Sequence, residues 1–209
     1  MPVKKKKVSI IVIVSILSTL GGIFLLYGSW LMVDSKISQD KAHEIAKSKV
    51  VSSSAQVITK KATPQSYQFE KGEIFGVLHI PSIKAELPII EGTGEQELKQ
   101  GVGHFIGSSF PMQNNQIVLS GHRNTVFQNI GDLVIGDYIV VEMLDGEYKY
   151  EIKYTEIVDA DDRTVIRSTA PNEILTLTTC YPFSYIGSAP KRYIVYAEPV
   201  FVEQSGERG

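Results

Sequence analysis

The chain has 209 residues, of which 21 are basic, 23 acidic, one a cysteine and 43% hydrophobic. That balance excludes a polyanion binder, which needs a basic surface, and a lone cysteine excludes an intramolecular disulfide framework. The charge is unevenly placed: residues 1–7 hold four lysines, leaving 17 basic against 23 acidic residues, net −6, for everything that follows.

Residues 1–7 read as a basic cytoplasmic tail. Residues 8–33 contain no charge and end near Tyr27 and Trp30. At ~1.5 Å per residue a helix over this run measures about 39 Å, enough to cross a ~30 Å hydrocarbon core. A signal peptide has an apolar region of only ~7–15 residues. The run is therefore expected to be a retained transmembrane anchor with an interfacial aromatic belt. The lysines place its N-terminus in the cytoplasm and the remainder of the chain outside. Residues 34–71 carry weak helical spacing (Ile37, Ala42, Ile45, Ala46, Val50), then Ser52–Ser54 and Thr63-Pro64. They are expected to form a short juxtamembrane helix and a spacer, with His43 solvated.

From residue 72 the texture changes. Short runs rich in Val, Ile, Tyr and Thr alternate with Gly, Pro, Asn and Asp. Strands are expected at 74–80, 87–90, 117–120, 138–143, 147–158, 174–179 and 192–199, with a hairpin at Asp145-Gly146. One-turn helices are expected at 96–101, 126–130 and 163–166. Many short strands with few helices imply a small, mainly antiparallel closed barrel over residues 72–203, followed by a polar tail at 204–209.

Four histidines and one cysteine are the candidates for chemistry. His79 lies in an alternating strand, and His104 follows a glycine turn. His122 differs, because it sits just past the strand 117–120, where a rigid scaffold presents functional groups. Cys180 closes the strand 174–179, and Tyr181-Pro182 breaks the pattern after it. A free thiol is a minority thiolate at neutral pH and needs a nearby cationic or imidazole group to act as a nucleophile. Arg192 opens the last strong strand. If that strand is the antiparallel neighbour of the Cys180 strand, the guanidinium lies beside the sulfur and can hold an oxyanion. No zinc-ligand spacing and no glycine-rich phosphate loop is present, so neither a metal nor a cofactor is expected.

Together these residues resemble a known family. Thr176-Leu177-Thr178-Thr179-Cys180 resembles the Thr-Leu-x-Thr-Cys signature of sortases, the cysteine transpeptidases of Gram-positive cell surfaces. Leu119-Ser120-Gly121-His122-Arg123 resembles their histidine motif, and Arg192 follows in the family's order. The resemblance implies an eight-stranded β-barrel. It also implies that Cys180 attacks an LPxTG-like sorting signal to form a thioester, that Arg192 holds the oxyanion, and that His122 is the general acid/base. A cell-wall amine would then resolve the intermediate. Cys180-Tyr181-Pro182-Phe183 is similar to the class D enzymes of bacilli. Some sortases bind calcium before the histidine strand, but residues 106–115 hold no carboxylate here, so no calcium site is expected. Residues 62–65 do not match the lid of pilin-polymerising members, and by family analogy the loop 159–172 shapes the substrate pocket. Three alternatives stay open: a pilin-polymerising enzyme, a cysteine peptidase or hydrolase on the same barrel, and a non-enzymatic surface protein in which Cys180 is inert.

Overall fold

The computed structural model describes residues 3–54, 67–184 and 187–200. The tail 204–209 and residues 62–65 lie outside them. The chain divides into two compact units, residues 1–38 and 39–209.

The first unit is the N-terminal part of helix α1 (Val3–Ser54). The side chains of residues 3–14 are outside the description. Farther along, Phe24 is 80% and Leu25 75% exposed. Among the described residues no helix is long and apolar enough to cross a membrane.

The second unit is a closed barrel. Its strands are β1 (Ile74–Ile80), β2 (Ala85–Glu91), β3 (Val102–His104), β4 (Gln116–Ser120), β5 (Tyr138–Met143), β6 (Gly146–Asp159), β7 (Ile174–Tyr181) and β8 (Lys191–Pro199). They close in the order β1-β2-β3-β4-β7-β8-β6-β5. Pairing is antiparallel except at β2–β3 and β4–β7. A parallel pair needs a crossover, and the short helix α2 (Glu95–Gln100) supplies the first. The second encloses the whole β5–β6 hairpin.

Strand alternation sends one row of side chains inward. Leu78, Ile89, Ile117, Leu119, Ile139, Ile152, Leu175, Leu177 and Val195 fill the interior, none more than 2% exposed. Tyr150 is buried among them, and its hydroxyl donates to Glu173 Oε1 at 2.8 Å. Desolvation, and then the Glu173 charge, push its pKa far above the usual tyrosine value. At the Asp145-Gly146 turn, Tyr148 donates to Asp145 Oδ2 at 2.8 Å and Tyr67 donates to the same oxygen. Burial pushes Tyr148 up to about 12.

Several expectations need revision. Residues 39–54 are helical, and the face carrying Ala42 and Ala46 docks on the barrel. Ala42 and Ala46 pack against the outward residues Ile74, Val77 and Ile90, and Lys47 Nζ reaches Glu86 Oε1 at 2.8 Å. His43 stands 3.7 Å from the same carboxylate, so it is not simply solvated. Residues 126–130 and 163–166 form turns rather than helices, apart from a 3₁₀ turn at Ile130–Asp132.

β3 had no counterpart in the sequence reading. A Cβ on Gly103 would collide with the carbonyl of Gly92, so this glycine marks close backbone approach between elements, not a turn. His104, on the same strand, is 1% exposed; its Nδ1 lies 2.7 Å from Glu91 Oε2 and its Nε2 3.1 Å from the Ser109 carbonyl. Ser108 Oγ also stands 2.9 Å from Nε2, so His104 acts as a buried structural tie.

Candidate active site at the end of β4, β7 and β8

Three adjacent strands carry the site. Leu175 and Leu177 face the interior, so Thr176, Thr178 and Cys180 form the outward row of β7. β8 lies antiparallel to β7, with Cys180 directly opposite Arg192 and Thr178 opposite Ile194. The juxtaposition expected from sequence is therefore a register pair in the sheet. β7 runs two residues past the expected end, so Cys180 is the penultimate residue of the strand and half-buried.

On the other side, β4 runs parallel to β7, with Ser120 beside Thr178. Parallel strands present their C-terminal ends together, and this brings His122 to the cysteine end. Two bonds fix the junction: the Gly121 amide donates to the Thr178 carbonyl at 3.1 Å, and Thr179 Oγ1 donates to the Gly121 carbonyl at 2.7 Å. Thr179 is buried, and the bond satisfies a backbone acceptor that would otherwise be costly. The next residues turn back, with the Phe127 amide donating to the His122 carbonyl at 3.0 Å.

His122, Cys180 and Arg192 line one cleft of about 630 Å³, together with Arg123, Asn124 and Phe183. Arg192 Nη1 donates to the carbonyls of Ala189, at 3.3 Å, and Lys191, at 3.0 Å. These bonds use one nitrogen and hold the plane of the fork. Arg123 Nη2 donates to the Gly187 carbonyl at 3.0 Å, tying the β7–β8 loop to the histidine turn. Phe183 stacks edge-on against Tyr181 and Tyr193. Its ring lies so close to Gly131 that a Cβ there would overlap it. Two guanidinium groups and no carboxylate among the described lining residues make the cleft cationic. A developing oxyanion is favoured there.

The expected triad is thus brought together, whereas His79 and His104 lie in β1 and β3 with carboxylate partners of their own. Gly121, Thr179 and Arg123 stand in the two motifs quoted from the sequence, but no role was assigned to them there; their bonds appear only in the folded chain. Among the described residues no cluster of His, Cys, Asp and Glu is arranged to hold a metal ion.

Comparison with known proteins agrees with this geometry. The profile of the Sortase domain family matches residues 78–200. Sortase D of Bacillus subtilis is 45% identical over 179 residues, covering 83% of this chain and 90% of that protein. The solved structure of a Clostridium perfringens sortase D5 transpeptidase has the same fold, with a TM-score of 0.64 at 24% identity, over 78% of this chain and 99% of that one. A Clostridium perfringens sortase C structure superposes with a TM-score of 0.59 at 26% identity, over 83% and 98% of the two chains. On the family match, the extended similarity to sortase D and the barrel itself, this chain belongs to the sortases, a family of cysteine transpeptidases.

Proposed function

We propose that this protein is a membrane-anchored sortase that cleaves an LPxTG-like sorting signal and transfers the surface protein to an amine of the cell wall or its precursor. The observation that supports this most is the direct pairing of Cys180 with Arg192 across β7 and β8, in a cleft shared with His122. The Cys180 thiolate attacks the threonine carbonyl. Negative charge passes to the carbonyl oxygen, where the Arg192 fork meets it. The C–N bond then breaks, and His122 gives its proton to the departing glycine amine. The product is a thioester on Cys180. The incoming amine loses its proton to His122, attacks the same carbonyl and expels the thiolate. One difficult acyl transfer becomes two easier ones.

The exposed apolar residues of α1, such as Leu17, Phe24, Leu25 and Trp30, support residues 8–33 as the anchor. The lysine-rich tail supports a cytoplasmic N-terminus and an extracellular barrel. The similarity to sortase D of Bacillus subtilis supports the class D reading.

The test uses the full chain in detergent with a quenched LPxTG-type peptide, with and without an amine acceptor. A ligated product that grows with amine concentration is expected, together with its complete loss in Cys180→Ala. Cleavage without ligation at any amine concentration would turn the reading into a hydrolase. Activity surviving in Cys180→Ala would remove the thiol from the mechanism.

A further inference from the structure

The described lining of the cleft comes from two stretches of chain, residues 122–124 after β4 and residues 180–192 from the end of β7 to the start of β8. The acid/base stands on the first wall and the oxyanion donor on the second. Their separation therefore depends on what joins the walls. His122 is fixed through its neighbour Gly121, which is bonded to Thr178 and Thr179 of β7. Arg192 is fixed by its own approach to β8, since its Nη1 donates to the carbonyls of Ala189 and Lys191. Its aim is only as good as the placement of residues 187–191.

That stretch is tied at two points. The Ala160 amide donates to the Pro190 carbonyl at 3.0 Å, which holds the end next to β6. At the other end Arg123 Nη2 donates to the Gly187 carbonyl at 3.0 Å, across 64 residues of sequence. Gly187 has a φ of +100°, and a Cβ there would meet nothing within 4 Å. Glycine is therefore needed for the direction of the backbone and not for space. Arg123 Nη1 is buried, so this guanidinium is a fixed part of the wall rather than a group that reaches for substrate. Arg123 also follows His122 directly. One side chain thus joins the acid/base turn to the stretch whose carbonyls hold the oxyanion donor.

We infer that Arg123 is a positioning residue for the transfer reaction: by clamping Gly187 it sets the distance from the Arg192 fork to the carbonyl held at Cys180. The inference rests on the transpeptidase reading. It gives the two guanidinium groups of the cleft different tasks, Arg192 meeting the charge and Arg123 aiming Arg192. Oxyanion donors work at about 2.7–3.1 Å, and a misplacement of ~1 Å costs up to ~100-fold in rate. The bound peptide carries no such charge before attack. Release of the clamp is therefore felt in the transition state and not in substrate binding.

The experiment compares the full chain in detergent with Arg123→Met, Arg123→Lys and Gly187→Ala. Arg123→Met keeps the stem and removes the donors, and Arg123→Lys returns a charged donor as the conservative rescue. Gly187→Ala leaves Arg123 in place and strains the backbone that presents the carbonyl. A sorting peptide ending in an aldehyde at the scissile position is the probe of oxyanion holding. The Cys180 sulfur adds to the aldehyde carbon and the thiol proton passes to the oxygen, which then occupies the oxyanion position. Expected for Arg123→Met and Gly187→Ala is a kcat lowered about tenfold or more, the scale of one hydrogen bond from a charged donor. The aldehyde inhibition constant should rise by a similar factor, with KM within about twofold of wild type. Arg123→Lys should recover part of both losses. A kcat within twofold of wild type in both disrupted variants overturns the inference. So does a fall in kcat with aldehyde affinity unmoved, which places the effect away from Arg192, and so does a rise in KM alone. A lowered melting temperature with kcat and aldehyde affinity unchanged shows a purely structural clamp and also overturns it. If Arg123→Met does not fold, Gly187→Ala, at an exposed position, carries the same measurements. Absence of ligation by the wild type would instead sink the transpeptidase reading, and the aldehyde affinities would still decide whether Arg123 aims Arg192.

Discussion

Gly121 links the histidine to the cysteine strand, and Gly121→Ala tests how rigidly. A Cβ there would lie 2.6 Å from Phe127 Cδ2 and 2.8 Å from Val126 Cγ2, against the ~3.5–4.0 Å of a relaxed carbon contact. Phe127 is fully buried. Its amide is bonded to the His122 carbonyl, and Gly121 itself is held by Thr178 and Thr179. Neither side can retreat without moving the turn that carries His122. Overpacking of this kind costs about 1–3 kcal/mol. For a folded unit of this size that lowers Tm by about 3–12 °C. Thermal unfolding of the full chain in detergent gives the stability change. Transfer rates measured well below both melting points give the catalytic one. The expected result is a Tm lowered within that range and a fall in kcat larger than any rise in KM. An unchanged Tm would show that the close contacts do not confine the turn. A lowered Tm with unchanged kcat would show that the strain relaxes away from His122, and the link between the two would fail.

Arg192→Lys keeps the charge and loses the planar fork; transfer should fall about 100-fold or more, the scale of losing an oxyanion donor, with the melting temperature held. Activity within tenfold of wild type would refute the oxyanion role. Tyr67, Tyr148 and Tyr150 all have raised pKa values, desolvation being the largest cause in each. Since the folded values lie above the unfolded 10.0, their contribution to stability is complete below pH 10 and is lost as pH rises beyond it. Tyrosinate absorbance should therefore show no ionisation of these groups near pH 10 in the folded barrel, with Tyr148 ionising only at about 12 unless the barrel unfolds first. Their titration near pH 10 in a chain that remains folded would contradict the burial.

Most of the barrel was legible in the sequence because its strands are short, β-branched and bounded by turn residues. β1 and β5 match their expected limits, and β2, β4, β6, β7 and β8 extend by one or two residues at one or both ends. β3 was not legible for the reason its glycine exists: three residues containing Gly103 carry no periodicity. The turns at 126–130 and 163–166 were read as helical from composition, yet neither has the length to pay for nucleation. The docking of residues 39–54 escaped because its inner face is made of alanines, which give a faint amphipathic signal. The site was legible in its parts, since a lone thiol, a histidine past a strand and an arginine opening one are each visible. The bonds of Gln116 to Val165 and Arg167 in the loop between β6 and β7 were invisible, because a glutamine at a strand start looks like a solvated end until that loop is in place.

What the sequence could not supply was the β4–β7 pairing. Thr179 and Gly121 are 58 residues apart, and the β5–β6 hairpin lies between them. Antiparallel neighbours joined by a connection of about ten residues, such as β7 and β8, can be guessed from proximity, so Cys180 and Arg192 were paired correctly on paper. A parallel pair across an inserted hairpin carries no such local cue. Yet this pair gives the site its third member. Had β4 run antiparallel to β7, the chain would leave it at the far end of the groove, and His122 would stand about five strand residues, ~17 Å, from the thiol. Strand direction at one pair, more than the identity of any side chain near it, converts three separate polar residues into one cleft.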